Sequence, residues 1–202
     1  MREHIRENRR RIKELFDLVE TTDAAGASQL VEEALENSIS LIVEQVNAGG
    51  KLFFIGNGGS AAIASHMATD FWKNTGIRAM TFNDSVLLTC VSNDEGYQHV
   101  FERSIEMFAE PKDVLIAISS SGKSENILRA VAKAKEKKIA VITFSGFQPD
   151  NPLRSRGEIN FYVPTCHYGH VECIHHFLCH SFIDTIIANK SKLLIERAMT
   201  HE

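Results

Sequence analysis

The chain has 202 residues, 44% of them hydrophobic and 24% charged, a composition typical of a soluble globular protein with a substantial core. Its net charge of −4 and isoelectric point near 6.1 argue against a nucleic-acid partner. The sequence lacks an 18-residue apolar run and begins with a charged segment, so we expect no membrane partner and a cytoplasmic location. The four cysteines are expected to be reduced thiols.

The first fifty residues predict two amphipathic helices. Apolar residues recur at helical spacing over residues 3–20 and again over 26–48, and Gly49-Gly50 ends the second helix. Two such helices carry more apolar surface than one face of a sheet needs. We therefore expect residues 1–50 to form a helical hairpin used in oligomerisation. The alternative, that both helices simply cover the sheet, stays open.

From residue 51 onward, short apolar strands alternate with helices. The predicted strands are 52–55, 78–82, 113–118, 139–144 and 159–163, and the predicted helices are 60–73, 84–92, 97–109, 124–137 and 170–188. This alternation predicts an α/β domain over residues 51–202, with a doubly wound, five-stranded parallel sheet. Ligands bind such sheets beyond the carboxyl ends of the strands, where the strand order reverses.

The first predicted strand runs into a glycine-rich turn, Gly56-Asn57-Gly58-Gly59-Ser60. Glycines permit positive φ and close approach of a ligand, and Ser60 can cap a helix whose first N–H groups face outward. This arrangement indicates an anion site, although a turn that merely connects is the alternative. The turn matches neither the dinucleotide pattern nor the P-loop, so it does not predict NAD or ATP.

A second polar loop, Ser119-Ser120-Ser121-Gly122-Lys123-Ser124, follows the third predicted strand. Its four hydroxyl groups and the helix N-terminus behind them can bind a phosphate dianion without a metal. Such a loop suits a sugar phosphate better than a nucleoside triphosphate. A serine-rich loop that only caps a helix is the alternative.

Two predicted helices carry paired ligand-type side chains. His66 and Asp70 are four residues apart and project from one helix face, whereas Glu172 and His180 are eight apart and lie within about 80° of each other around their helix. Two carboxylates and two imidazoles can form a four-ligand zinc site. The last helix holds further cysteines and histidines, which we interpret as core or helix-face residues rather than a second zinc site, because no CxxC pair is present. Among them, His176 lies on the face between Glu172 and His180.

In combination these motifs resemble the SIS (sugar isomerase) domain family. The resemblance rests on Gly56 to Ala62, Ser92-Asn93-Asp94, Ile118 to Ser124 and the final helix with its Glu and His residues. It covers almost the whole chain, and within the family the sequence most resembles isomerases that act on sedoheptulose 7-phosphate. The resemblance implies a flavodoxin-like sheet, a homotetramer with active sites between subunits, and a divalent metal, Zn2+.

The resemblance also implies roles for individual residues. The metal-binding and acid–base set is His66, Asp70, Glu172 and His180, with Glu172 or Asp70 as base and His180 as acid. The implied substrate-binding residues are Asn57, Gly58, Ser60, Asn93, Asp94, Ser119, Ser120, Ser121, Ser124 and Glu172. Three positions depart from the family pattern. Asp70 stands where Glu is usual, Glu172 stands where Gln is common, and Tyr168-Gly169-His170 lacks the acidic residue that usually precedes the helix.

The implied reaction is aldose–ketose isomerisation of a phosphorylated sugar. The expected conversion is sedoheptulose 7-phosphate to D-glycero-D-manno-heptose 7-phosphate through an enediol, for heptose in lipopolysaccharide or capsule. Two other functions share the same fold: a non-catalytic adaptor of the kind that associates with a replication initiator, and a sugar-phosphate sensor. The set of four ligand-type side chains favours the enzyme, because neither alternative requires it.

Overall fold

Seven strands form one mixed sheet in the computed structural model, which describes residues 1–193. They are β1 (Glu20–Asp23), β2 (Ser28–Gln29), β3 (Leu52–Gly56), β4 (Ala79–Thr81), β5 (Val114–Ser119), β6 (Ala140–Gly146) and β7 (Ile159–Val163). Their order across the sheet is β2-β1-β7-β6-β5-β3-β4. The last five strands in that order are mutually parallel, which confirms the predicted five-stranded parallel sheet, and the first two extend it with antiparallel pairing.

Helices cover both faces of this sheet. They are α1 (Arg2–Asp17), α2 (Val31–Asn47), α3 (Gly59–Asp70), α4 (Ser85–Asp94), α5 (Val100–Phe108), α6 (Glu125–Glu136), α7 (Tyr168–Ala188) and the short α8 (Lys190–Leu193). A π-helical turn, Phe71–Thr75, continues α3, and a 3-10 turn, Tyr97–His99, precedes α5. Within residues 1–193, no helix is long and apolar enough to cross a membrane.

The prediction for residues 18–30 was wrong. The helix predicted over 3–20 ends at Asp17, the helix predicted over 26–48 begins at Val31, and β1 and β2 lie between them. Threonines in β1 favour extended backbone, and the Asp23 carboxylate stabilises the turn by accepting the N–H groups of Ala25 and Ala27 at 2.9 and 2.8 Å. Strand β1 pairs with β7, so the first fifty residues contribute to the same sheet as the rest of the chain.

The core has two layers because neighbouring residues of a strand point to opposite faces. Phe54 and Ile116 pack with α2, α3 and α7, whereas Phe53 and Leu115 pack with α5 and α6. The chain leaves β3 for β4 on one side and returns to β5 on the other, so the strand order reverses between β3 and β5. The glycine-rich turn and the serine loop begin at the carboxyl ends of those two strands, where ligands are expected.

Candidate active site

A pocket of about 260 Å³ lies at the carboxyl ends of β3 and β5, and we call it the serine pocket. Its lining combines the glycine-rich turn from Asn57 to Ser60, the serines 119, 120, 121 and 124, and Tyr168 and Glu172 of α7. Most of the predicted substrate-binding residues therefore share one cavity.

Three helices begin at the serine pocket. Helix α3 starts at Gly59, α6 starts immediately after Ser124, and α7 starts at Tyr168. The first N–H groups of a helix have no partner within it, and the helix dipole places partial positive charge there. The pocket therefore attracts an anion, although no lysine or arginine lines it among the described residues.

Packing holds the serine loop in place. Ser119 and Ser120 are only 4% and 5% exposed. The Ser119 hydroxyl donates to Ser124 Oγ at 3.3 Å, while Ser120 Oγ is buried without a partner among the described residues. Gly122 has φ +62°, and a Cβ there would lie 1.9 Å from the side chain of Asn151. The loop is thus pre-organised, with hydroxyl groups available to a ligand.

Asn57 is held by a hydrogen-bond network at the edge of this pocket. Asn57 Nδ2 donates to Asn126 Oδ1, and Asn126 Nδ2 donates to Asn57 Oδ1, both at 2.9 Å. The hydroxyl of Tyr97 also donates to Asn57 Oδ1, at 2.8 Å. Asn57 and Tyr97 also line a second pocket of about 300 Å³ on the other side of the glycine-rich turn. The sequence interpretation missed Tyr97 and Asn126, since nothing in their local sequence links them to Asn57.

Glu172 supplies the carboxylate of the serine pocket. A Cβ built on Gly59 would lie 2.4 Å from its carboxyl carbon and from both carboxyl oxygens. One turn earlier on α7, Tyr168 packs edge-on against Phe147 with ring centroids 4.7 Å apart. The first turns of α7 thus form the wall opposite the serine loop.

A second group of side chains lies further along α3 and α7, and we call His66, His176 and His180 the histidine cluster. One imidazole nitrogen of each lies within 4.8 Å of the others. Asp70 Oδ2 is 3.1 Å from His66 Nε2. Burial, followed by the neighbouring His180 and His66, lowers the pKa of His176. The sequence interpretation placed His176 on this face of the helix and assigned it no role.

The structure brings His66, Asp70 and His180 together but places Glu172 elsewhere. Helices α3 and α7 run side by side in the same direction, so Glu172 reaches Gly59 while His180 reaches His66. Glu172 and His180 are eight positions apart on the helix, about 12 Å along its axis. The described residues therefore do not form the four-residue ligand set inferred from the sequence.

Asn93 and Asp94 also lie away from the serine pocket. They occupy the exposed end of α4, where Asn93 Nδ2 donates to Asp94 Oδ1 at 2.8 Å. Neither lines the serine pocket or its neighbour. Helix α4 has no fully buried residue, which leaves this end of the helix on the surface of the single chain.

Two of the remaining residues of α7, His175 and Cys179, are buried in the core. His175 is fully buried, with Nε2 donating to the carbonyl oxygen of Ser145 at 3.0 Å, and burial lowers its pKa to about 4. Burial raises the pKa of Cys179. Across residues 1–193, the histidine cluster is the one group of metal-ligating side chains that comes together. These residues do not form a second zinc site.

Comparison with known proteins places this architecture in a family. A family model described as the SIS domain matches residues 20–146. The phosphoheptose isomerase of Helicobacter pylori is 32% identical over 162 residues, 77% of this chain and 84% of that protein. The enzyme of the same name from Proteus mirabilis is 36% identical over 147 residues, 70% of this chain and 75% of that protein.

A solved structure of a related protein has the same fold. Phosphoheptose isomerase from Neisseria gonorrhoeae superposes with a TM-score of 0.78 and 27% identity, covering 93% of this chain and 98% of that one. The chain therefore belongs to the SIS domain family, within which it is similar to phosphoheptose isomerases.

Proposed function

We propose that this chain, an aldose–ketose isomerase of the SIS domain family, converts sedoheptulose 7-phosphate into D-glycero-D-manno-heptose 7-phosphate. One observation carries the proposal: the serine pocket combines five serines, the hydroxyl-bearing Tyr168, three helix N-termini and one carboxylate. The names of the relatives support a phosphorylated heptose as substrate.

The phosphate group binds the loop from Ser119 to Ser124. Hydroxyl and backbone donors to a charged acceptor make strong hydrogen bonds, and the helix N-termini favour its negative charge. The buried hydroxyl of Ser120, which lacks a partner among the described residues, gains one when phosphate binds. Neither a cation nor a basic side chain is needed for this step.

Glu172 is the general base. Isomerisation moves a proton between C1 and C2 through an enediol, so a carboxylate has to lie beside the carbon chain of a sugar bound by its phosphate. Glu172 lines the serine pocket, whereas the other candidate, Asp70, lies against His66 outside it. Glu172 removes the proton from C1 and returns it to C2. Asn57 Nδ2 keeps a second hydrogen that can be donated to a substrate oxygen, because only the first is donated to Asn126.

A divalent metal, Zn2+ in the sequence interpretation, fits the histidine cluster. Imidazole nitrogens are preferred zinc ligands, and the buried Nε2 of His176 has no hydrogen-bond partner among the described residues. His66 and His180 would hold the ion, which would supply Lewis-acid chemistry at the cluster. His180, predicted as the acid, contributes to this site rather than to the lining of the serine pocket.

We further propose that the protein assembles as a homotetramer. Val86 of α4 is 72% exposed, and Met107 and Phe108 of α5 are 74% and 52% exposed, which leaves apolar surface for another copy to cover. Such packing would also bury the end of α4 that carries Asn93 and Asp94. Sedimentation at micromolar concentration should give a species near four times 22.6 kDa, and a monomer would contradict the assembly.

The test of function is incubation with sedoheptulose 7-phosphate, followed by detection of an aldose product by NMR. Fructose 6-phosphate and ribulose 5-phosphate serve as comparison substrates. Turnover of the heptulose phosphate supports the proposal. Binding without turnover would instead indicate a sugar-phosphate sensor, and absence of both would indicate an adaptor.

A further inference from the structure

Asn151 is buried behind the serine loop and does not line the serine pocket. It lies between β6 and β7, directly before the 3-10 turn Pro152–Ser155, and it is 2% exposed. A Cβ at Gly122 would lie 1.9 Å from Asn151 Oδ1 and 2.3 Å from its Cγ, so the amide fills the space beside the glycine. The contact falls on the residue whose left-handed backbone, with φ +62°, shapes the loop.

The amide of Asn151 makes more hydrogen bonds than capping a helical turn requires. Its Oδ1 accepts the N–H of Arg154 at 3.1 Å, which is the usual bond of an N-cap residue. Its Nδ2 also donates to Ser145 Oγ and to the carbonyl oxygens of Gly146 and Gln148, at 3.3, 3.1 and 2.9 Å. Two N–H groups are thus shared among three acceptors, and they hold the side chain against the carboxyl end of β6.

The same segment also holds the backbone of Gly122. Leu153, which is fully buried, donates its N–H to the carbonyl oxygen of Gly122 at 3.2 Å. A trans peptide holds its C=O and N–H groups in opposite directions, so this bond turns the N–H of Lys123 the other way, where it donates to Ser121 Oγ at 3.3 Å. Ser121 lines the serine pocket. The segment between β6 and β7 therefore fixes both the turn of the serine loop and one of its hydroxyl groups.

We propose that Asn151 is a positioning residue for phosphate binding: by filling the space beside Gly122, it keeps the serine loop in the conformation that binds the phosphate group. Hydrogen bonds to a charged acceptor are strong and directional, and a loop that is already in its binding conformation avoids the entropic cost of ordering. Asn151 acts from behind the loop without contacting the ligand. The inference rests on the proposed function only for the assignment of the phosphate group to the serine loop.

Asn160 offers a matched control for Asn151. It is 1% exposed, and its Oδ1 accepts the Thr143 hydroxyl at 2.7 Å and the Gly157 N–H at 2.8 Å. It lies on β7, and within residues 1–193 it neither bonds to the serine loop nor lines the serine pocket. Replacing either asparagine by alanine unpairs buried polar groups and should lower stability. Only the change at Asn151 should alter the serine loop.

Binding of inorganic phosphate by the full-length protein tests the inference without turnover. Calorimetric titration gives the phosphate affinity of the wild type, Asn151→Ala and Asn160→Ala, and thermal melting compares their stability. A second variant, Asn151→Ser, retains a hydroxyl that can cap the turn at Arg154 but is too short to fill the space beside Gly122. It provides the same test if the alanine variant does not fold.

Both Asn151 variants should bind inorganic phosphate roughly tenfold more weakly, the equivalent of one lost hydrogen bond to a charged acceptor. Asn160→Ala should bind phosphate as the wild type does, although its melting temperature should also fall. With sedoheptulose 7-phosphate, the Asn151 variants should show a raised KM and a nearly unchanged kcat, because Glu172 is not displaced.

Wild-type phosphate affinity in the Asn151 variants would overturn the inference, as would equal losses in Asn151→Ala and Asn160→Ala, or a wild-type protein that does not bind phosphate. The proposed function succeeds or fails separately. The predicted pattern of phosphate binding in a protein that turns over no sugar phosphate would support the inference and contradict the function. Turnover combined with unchanged phosphate affinity in the Asn151 variants would do the reverse.

Discussion

The carboxyl group of Glu172 occupies the space that a side chain at Gly59 would need. A methyl group at Gly59 would lie 2.4 Å from the carboxyl carbon, closer than any normal contact. The first turn of α3 and the first turns of α7 thus pack directly against each other. This contact holds the proposed base beside the serine loop.

The first prediction is that Gly59→Ala lowers kcat at least tenfold. The added methyl group displaces the flexible end of Glu172, and small displacements of a catalytic group carry large kinetic costs. Stability should change little, because alanine in a helix is favoured over glycine by about 1 kcal/mol, which offsets the local strain. Steady-state kinetics and thermal melting measure the two effects.

Gly169→Ala is the control for that substitution. A Cβ at Gly169 would have 3.5 Å to its nearest neighbour, so alanine fits there without displacement. Its activity should equal that of the wild type. If Gly59→Ala were as active as Gly169→Ala, Glu172 would not be the base in the position described.

The second prediction concerns the phosphate. Replacing both Ser121 and Ser124 by alanine removes two donors to a charged acceptor, each worth about 1.5–3 kcal/mol. Substrate affinity should fall at least tenfold, while the exposed Ser40 on α2 should tolerate alanine without effect. Competition by inorganic phosphate should weaken in parallel. Unchanged affinity in the double variant would place the phosphate elsewhere.

The third prediction is that Tyr97 acts by positioning Asn57. Tyr97→Phe removes one hydrogen bond to Asn57 Oδ1 and leaves the two bonds to Asn126 intact. Losing this bond should cost about 1 kcal/mol of stability, and the looser Asn57 should lower kcat/KM by roughly fivefold. Once Asn57 is alanine, Tyr97→Phe should have no further effect. Additive losses would show that the hydroxyl acts independently.

The fourth prediction is that acid weakens the fold through His170. This side chain is 7% exposed and donates from Nε2 to Asn8 Oδ1 at 2.5 Å, while its Nδ1 is buried without a partner among the described residues. Burial, then His167 and Arg11, lowers the pKa of His170 below its ordinary value of 6.5. The folded protein therefore keeps the neutral ring at a pH where the unfolded chain takes up a proton.

The direction of this pH effect follows from the linkage between protonation of His170 and unfolding. The unfolded state binds more protons below about pH 6.5, so the free energy of unfolding should decrease as the pH falls through that value. The free energy of unfolding continues to decrease until the pH reaches the pKa of His170 in the folded protein. His170→Gln keeps a donor for Asn8 and cannot titrate, so urea unfolding should show a smaller decrease toward pH ~5.5 than in the wild type. Equal decreases in both proteins would exclude His170 as the cause.

Local patterns were enough to predict the parallel sheet and the serine pocket. Apolar runs that end in Gly56 or Ser119 mark strands followed by ligand-binding loops, and the structure has both. The antiparallel strand β1 was missed because its pairing with β7 depends on residues about 140 positions away. The segments on either side of β1 showed a stronger helical periodicity of apolar residues than β1 showed of its own alternating pattern.

Side-chain partnerships across elements were harder to predict. Helical spacing alone suggested that Glu172 and His180 could serve one site. In the structure, the relative position of α3 and α7 along their axes brings Glu172 against Gly59 and His176 against His66. Tertiary packing sets that relative position. The bond between Tyr97 and Asn57 likewise spans 40 residues and leaves no trace in local composition.

The most direct test of the account is isomerisation of sedoheptulose 7-phosphate in deuterium oxide, comparing the wild type with Glu172→Gln. A carboxylate base that exchanges its proton with solvent places deuterium at C2 of the aldose product. The account predicts deuterium at C2 with the wild type, and no detectable exchange with Glu172→Gln, which should still bind the sugar phosphate. Exchange at the wild-type rate in Glu172→Gln, or no exchange in the wild type, would contradict it.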